Sequence, residues 1–178
     1  MADQKLSALT ETTAPALTHE FYTEATGNAA GLMVQLGNLL TIPAALLSDV
    51  SVVDGAVTVT PAKMTINQAG TSIGGLVSDP TNSKITVGAT GYYYVAFGGS
   101  LTSTTTPTAN IYLYWNGASK ATLQVELQAN ITVPFHVHTI VDATTASTDI
   151  EAYWSVSSST HGLTGTVLSL VAFRLAPT

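Results

Sequence analysis

The paired histidines His136 and His138 have the spacing best suited to metal chemistry in this sequence. Alternate residues of a β-strand point to the same side, so the two imidazoles would share one face of the stretch ITVPFHVHTIV. Imidazole binds zinc and titrates near neutral pH, and a ring of such pairs around a symmetry axis could do either. Two ligands without an acidic or cysteine partner nearby make a weak site. We therefore predict two solvent-facing or hydrogen-bonded histidines, and no metal or cofactor.

The other candidates for catalysis are His161 and a few isolated acidic residues. His161 lies in SSSTHGLTG, and Asp142 or Asp149 could complete a Ser-His-Asp triad. No G-x-S-x-G motif fixes that geometry. Glu126 and Glu151 could act as the two carboxylates of a glycosidase, but each lies in a strand pattern with apolar neighbours. Phosphate-loop, dinucleotide-binding and H-E-x-x-H motifs are absent from the sequence, so we predict a protein without enzymatic activity.

The composition argues against several classes of partner. Charged residues make up 9% of the 178-residue chain and hydrophobic residues 46%, whereas an ordinary soluble domain has roughly 25% charged residues. The formal net charge is −6, and the five Lys and Arg residues are spread along the chain. We therefore expect binding neither to nucleic acid nor to an anionic membrane. There is no cysteine, which excludes disulfides.

The first residues, MADQKLSALTE, lack the apolar core of a secretory signal, so we expect synthesis in the cytoplasm of a host cell. The most apolar stretch, 29–50, is interrupted by polar residues, glycine and proline, and is too broken to span a bilayer.

The chain divides into three predicted parts. Residues 1–48 form an N-terminal arm with short helical pieces at KLSALTE and PAALLSD and a strand within GLMVQLGNLL. Residues 49–68 form a β-hairpin linker that turns at Asp54-Gly55, between two alternating apolar runs. Residues 69–178 contain many short strand patterns separated by turn signals, which predicts an all-β sandwich or barrel. The predicted strands are KITVG, YYYVAFGGSLT, ANIYLYW, ATLQVEL, ITVPFHVHTIV, DIEAYWSVS and TVLSLVAFRL.

Two of these strands are apolar or aromatic on both faces. In TVLSLVAFRL, Val167, Val171 and Phe173 alternate with a second apolar set, and in ANIYLYW two tyrosines lie opposite Ile111 and Leu113. An isolated sandwich shows a polar outer face to water, so a second cover is needed. That cover is either the arm or another subunit, and we favour another subunit. The predicted subunit interface consists of Tyr112, Tyr114, Leu168, Leu170 and Ala172.

Eight aromatic residues are concentrated in the predicted strands. They could stack on sugars in an adhesin, or pack in a core or an interface. Alternation places at least half of them inside, so we favour packing. They are Tyr92, Tyr93, Tyr94, Tyr112, Tyr114, Trp115, Tyr153 and Trp154.

Residues from about 70 to 176 resemble the jelly-roll family of tumour necrosis factor and the complement globular heads. The resemblance lies in KITVGATGYYYVAF, NIYLYWNGA, DIEAYWSVSS and the C-terminal TVLSLVAFRL. It implies a jelly-roll β-sandwich that forms a compact homotrimer, with the last strand close to the threefold axis.

The N-terminal phrase DQKLSALTETTAPALTHEFYTEATGNAAGLMVQLGNLL is similar to the opening of many bacteriophage virion proteins. These include fibre, baseplate and head-associated proteins, so the resemblance implies location on the virion and attachment through the arm. The major capsid protein, or another virion protein, is the implied partner. The predicted attachment residues are Leu6, Leu9, Val34, Leu36, Leu39 and Leu40.

Three functions remain open at this point. The first is a trimeric capsid decoration or cement protein that stabilises a phage head, and we favour it. The second is a short tail-fibre or head-fibre adhesin tip, whose loops at 102–108 and 155–162 would bind a host surface glycan. The third is a carbohydrate-active enzyme.

Overall fold

The computed structural model describes residues 20–23, 32–35 and 42–176, and the chain divides into two compact units, 1–41 and 42–178. In the first unit, β1 (Glu20–Thr23) pairs antiparallel with β2 (Leu32–Gln35), and Phe21 lies opposite Val34. The strand predicted within GLMVQLGNLL is therefore confirmed at β2. Of the predicted attachment residues only Val34 is described; Leu6, Leu9, Leu36, Leu39 and Leu40 lie outside the described residues, as does the predicted KLSALTE helix.

The second unit is built from eleven strands, and its described residues contain no helix. The strands are β3 (Ala44–Val57), β4 (Ala62–Lys63), β5 (Gln68–Ile73), β6 (Leu76–Asp79), β7 (Lys84–Val87), β8 (Gly91–Thr102), β9 (Thr108–Trp115), β10 (Ala118–Glu126), β11 (Val133–Ala143), β12 (Thr148–Val156) and β13 (His161–Ala176). All seven predicted strands are confirmed, as β7 to β13.

These strands form two antiparallel sheets of a β-sandwich. One sheet has the order β11-β8-β13-β3-β5, and the other has the order β10-β9-β12-β7-β6. The short strand β4 joins the second sheet by pairing with Tyr153 and Trp154 of β12. Their pairing is nested in the sequence: β3 pairs with β13, β7 with β12, β8 with β11, and β9 with β10. The first long strand therefore lies beside the last one.

The core fills the space between the two sheets, because each strand alternates between inward apolar and outward residues. Phe97, Leu170 and Ile111 are fully buried, and Trp154 is 1% exposed. Tyr93 is also buried, and its hydroxyl donates a hydrogen bond to the Ala89 carbonyl at 2.7 Å, which satisfies its one polar atom.

Residues 44–57 differ from the prediction. The segment Pro43–Asp49, predicted as a helical turn, lies mostly in β3, because β13 and β5 pair with it from both sides and Ala45 and Leu47 are buried between the sheets. Pairing with two strands outweighs the local helical tendency of so short a segment. Residues of both the predicted arm and the predicted linker therefore belong to the sandwich.

The predicted hairpin at Asp54-Gly55 is wrong, because β3 runs straight through it. Asp54 and Val57 are three positions apart, whereas their partners on β13, Leu163 and His161, are two positions apart. The extra residue makes a β-bulge. Asp54 Oδ1 accepts a hydrogen bond from the Ala56 amide at 2.9 Å. This is the local hydrogen bond that Asp forms in turns, but here it lies within the bulge and the chain does not reverse direction.

The glycine-rich passage 69–75, which carried no strand prediction, contributes to β5 and leads into β6. The two strands belong to different sheets, and Gly74 and Gly75 between them both have positive φ angles, 66° and 87°. Glycine adopts such angles without steric cost, so this turn carries the chain from one sheet to the other.

The Asn116-Gly117 turn between β9 and β10 gives a test of local backbone energetics. Both residues have positive φ, 49° and 76°, as a two-residue hairpin requires. A Cβ at Gly117 would meet no atom within 4 Å, so Gly117→Ala costs backbone strain alone. We expect it to lower the free energy of unfolding by about 1–2 kcal/mol in urea denaturation. The control is Gly55→Ala, equally open but without a positive φ; an equal loss in both variants would contradict this account.

Candidate functional site

The residues proposed for a catalytic triad have separate partners in the structure. His161 Nδ1 lies 2.9 Å from the Thr105 hydroxyl. The carboxylate of Asp149 accepts hydrogen bonds from Lys84 Nζ at 2.9 Å and from Thr86 Oγ1 at 2.8 Å. The hydrogen bond to Asp149 raises the pKa of Lys84. Asp142 is exposed on β11.

The two carboxylates considered as a glycosidase pair have different surroundings. Glu126 is exposed at the end of β10, whereas Glu151 on β12 is largely covered. Glu151 Oε1 lies 2.5 Å from Lys63 Nζ, and its Oε2 accepts a hydrogen bond from the Tyr153 hydroxyl at 3.3 Å. An ion-paired carboxylate of this kind fixes its neighbours in place.

His136 and His138 share one exposed face of β11, as their spacing predicts. Their ring centroids are 5.4 Å apart, and the ring of His138 stacks on Tyr94 at 5.8 Å. Phe135 and Val137 on the opposite face are buried. Within the described part of the chain no group of three His, Cys, Asp or Glu residues is close enough to hold a metal ion.

The structure corrects which face of β13 is available to a partner. Leu168, Leu170 and Ala172, predicted at the trimer interface, lie in the sandwich core and are at most 1% exposed. The reason is a bulge at Val167, which has φ of 50° and a register shift beside it. The extra residue resets the alternation, so that Gly165 and Leu168 both point inward.

The outward residues of the β11-β8-β13-β3 sheet form what we call the apolar face. Phe173 on β13 lies between Ala44 and Tyr94, and Tyr94 lies opposite Ile140. In the next row, Val171 lies between Leu46 and Ala96, and Ala96 lies opposite His138. Ala96 points outward but is only 4% exposed, because larger neighbours surround it. Ile42, Leu175 and Phe173 help to line a groove of about 600 Å³ at one end of this face.

The apolar face has the character of a surface for contact with protein. Exposed side chains on it include Ile42 (63%), Ile140 (62%), Leu175 (56%) and Phe173 (38%). Contiguous apolar groups of this kind mark interaction sites more often than isolated exposed residues do. The row nearer the bulge, with Ser48, Ser169 and Gly98, is small and more polar, so the apolar character fades along the strands.

The opposite sheet carries what we call the tyrosine face, formed by Tyr112, Tyr114 and Tyr153. The rings of Tyr114 and Tyr153 stack with centroids 4.2 Å apart, and Tyr112 meets Tyr114 edge-on at 6.2 Å. The Tyr112 hydroxyl lies 2.9 Å from the hydroxyl of Ser155, which points outward but is 1% exposed. The ring of Tyr112 therefore lies along the sheet surface toward Ser155. Burial raises the pKa of the Tyr153 hydroxyl.

The aromatic residues divide differently from the prediction that at least half lie inside. Tyr93, Trp115 and Trp154 are buried, while the other five lie on outer faces. Tyr112 and Tyr114, predicted at the same interface as the β13 residues, are half-buried on the tyrosine face. The alternation in the sequence identifies each pair of faces but not which of the two points inward, because both are apolar or aromatic.

No protein-family model matches this sequence, and no curated protein is significantly similar to it. Among the residues that the structure describes, no helix has the length and apolar character needed to cross a membrane.

Proposed function

We propose that this protein is a non-enzymatic structural protein of a bacteriophage particle, a homotrimeric jelly roll that decorates and cements the capsid. The observation that carries the proposal is the apolar face, where Phe173, Val171, Tyr94 and Leu46 form adjacent rows on the outside of a sheet. A copy of the same chain is the economical cover for such a face, because closed symmetric assemblies are the common form of soluble oligomers.

The nested strand pairing supports the jelly-roll part of the proposal. A jelly roll is a long hairpin of strands rolled up so that the first pairs with the last, and the pairs β3–β13, β7–β12, β8–β11 and β9–β10 follow that rule. The resemblance to the tumour necrosis factor family implies a last strand close to the threefold axis. The central place of β13 in its sheet and the apolar residues on its outer side agree with that implication.

The arm supplies the proposed link to the particle. Its sequence is similar to the opening of phage virion proteins, and Leu6, Leu9, Val34, Leu36, Leu39 and Leu40 are its proposed contacts with the major capsid protein or another virion protein. Three arms on one trimer bind at a high effective concentration once the first is bound, so weak single contacts add up. One trimer that holds adjacent capsid subunits would oppose their separation, which is the action of a cement.

The first test is the mass of the purified full-length chain in solution by light scattering. One subunit is 18.4 kDa, and we expect three times that mass, independent of concentration in the micromolar range. The trimer should then sediment with empty phage heads and raise the temperature at which they rupture. A monomeric mass would contradict the proposal. A trimer that does not sediment with phage heads would support self-association but not binding to the capsid.

A glycan-binding adhesin tip is the second candidate, and the three outward tyrosines of the tyrosine face favour it more than the sequence alone did. The number of copies in purified particles separates the two functions. A cement protein is expected in a high copy number, because a capsid has many equivalent binding positions. A fibre tip is expected in a low copy number, because a particle carries few fibres.

A further inference from the structure

A polar cavity of about 310 Å³ lies where β3 meets the segment that follows β4. Its walls come from β3 (Asp49, Ser51, Val52, Val53 and Asp54), from residues 63–67 (Lys63, Thr65 and Asn67) and from Trp154 of the core. The volume is at the lower end of the range for small-molecule sites. The cavity shares no lining residue with the groove on the apolar face.

Asp49 gives this cavity a fixed hydrogen-bond acceptor. Asp49 is 7% exposed, and its two side-chain oxygens accept hydrogen bonds from the amides of Ser51 and Asn67, each at 3.1 Å. A carboxylate has about four acceptor positions, so two bonds leave it able to accept from a ligand. Because these two amides already fix the carboxylate, binding a ligand would not carry the entropic cost of ordering this side chain.

Lys63 connects the cavity with the tyrosine face. It lines the cavity, lies opposite Tyr153 in the pairing of β4 with β12, and forms its ion pair with Glu151. Glu151 in turn accepts the hydrogen bond of the Tyr153 hydroxyl, and Tyr153 stacks on Tyr114. The Lys63–Glu151 ion pair therefore links a residue of the cavity wall with a residue of the tyrosine face.

We propose that this cavity and the adjoining tyrosine face form a saccharide-binding site, with one pyranose ring in the cavity and the next ring against the stacked pair of Tyr153 and Tyr114. A sugar donates and accepts hydrogen bonds from one ring, which matches a lining of carboxylate, hydroxyl and amide groups. Its apolar C–H face matches an aromatic ring. An anion fits less well, because Asp49 and Asp54 repel it and Glu151 already neutralises Lys63.

The test is saturation-transfer NMR of the full-length protein with four trisaccharides: cellotriose, maltotriose, chitotriose and mannotriose. We expect signal transfer to at least one of them, with a dissociation constant in the millimolar range. Thr65→Arg, which places a large side chain in the cavity, should weaken binding at least tenfold. Tyr114→Ala should do the same, and transfer to the second sugar ring should fall most.

The matched controls are Thr60→Arg, at an exposed threonine that does not line the cavity, and Tyr92→Ala, at an exposed tyrosine of the other sheet. Both should bind as the unmodified chain does. The proposal is overturned if none of the four trisaccharides receives signal, or if Thr65→Arg and Tyr114→Ala bind as well as the controls. Neither result would alter the mass measured by light scattering, so this proposal and the trimeric cement function fail separately.

Discussion

Replacing Phe173 with glutamate is expected to reduce the mass of the protein in solution from that of three 18.4 kDa subunits to that of one. Phe173 is 38% exposed in the single chain and stacks beside Tyr94, with ring centroids 6.2 Å apart. If the apolar face is covered by another subunit, each of three carboxylates would enter an apolar contact without a partner. Such burial costs several kcal/mol per charge, enough to prevent assembly.

The matched control for this experiment is Val77→Glu. Val77 is 55% exposed on β6, at the edge of the opposite sheet, so it adds the same charge away from the apolar face. It should leave the mass unchanged. Light scattering at several concentrations measures both variants, and circular dichroism checks that both are folded. A trimer that survives Phe173→Glu would show that the apolar face is not the subunit contact, whereas dissociation by Val77→Glu would move the contact to the other sheet.

Replacing Leu170 with alanine is expected to lower the free energy of unfolding by about 2–5 kcal/mol, without changing the number of subunits. Leu170 is fully buried between the sheets, so the substitution removes core contacts and leaves a cavity. This result would separate a core role from the interface role that the sequence predicted, because an interface residue would chiefly change the mass. Urea denaturation at a fixed protein concentration gives the energy, since the stability of an oligomer depends on concentration.

Leu175→Ala is the control for Leu170→Ala, since it makes the same substitution on the same strand at a residue that is 56% exposed. In the dissociated Phe173→Glu background it should change the free energy of unfolding by no more than about 0.5 kcal/mol. Equal losses at the two leucines would contradict the bulge-shifted alternation of β13.

The strands after residue 84 could be predicted from sequence because each shows period-two alternation between turn signals. The stretch 44–57 could not, because its local signals favour other structures: Pro43 begins a helix-like phrase, and Asp54-Gly55 is typical of a hairpin. The long partner β13, more than a hundred residues away, decides between those local tendencies and an extended strand. Such distant pairing is not readable from a local pattern.

The candidate sites were partly predictable for a related reason. Tyr112 and Tyr114 share a face in any strand, and so do His136 and His138, so these groupings followed from spacing alone. The inward direction of Leu168 and Leu170 depends on the bulge at Val167, a residue type that gives no sign of a positive φ. The cavity around Asp49 joins segments from both sheets, and no spacing in the sequence brings Lys63 to Glu151.

The nested pairing has a consequence for how the chain is made. β3 is the first long strand of the sandwich and β13 the last, yet they are neighbours in the middle of one sheet. During synthesis β3 leaves the ribosome early, and its main partner, β13, is made only after nearly the whole domain. Contacts between such distant residues also slow folding, because a long loop must close before they form. The exposed edge of β3 is then a place where unfinished chains can associate wrongly, and this exposure ends when β13, residues 161–176, pairs with it.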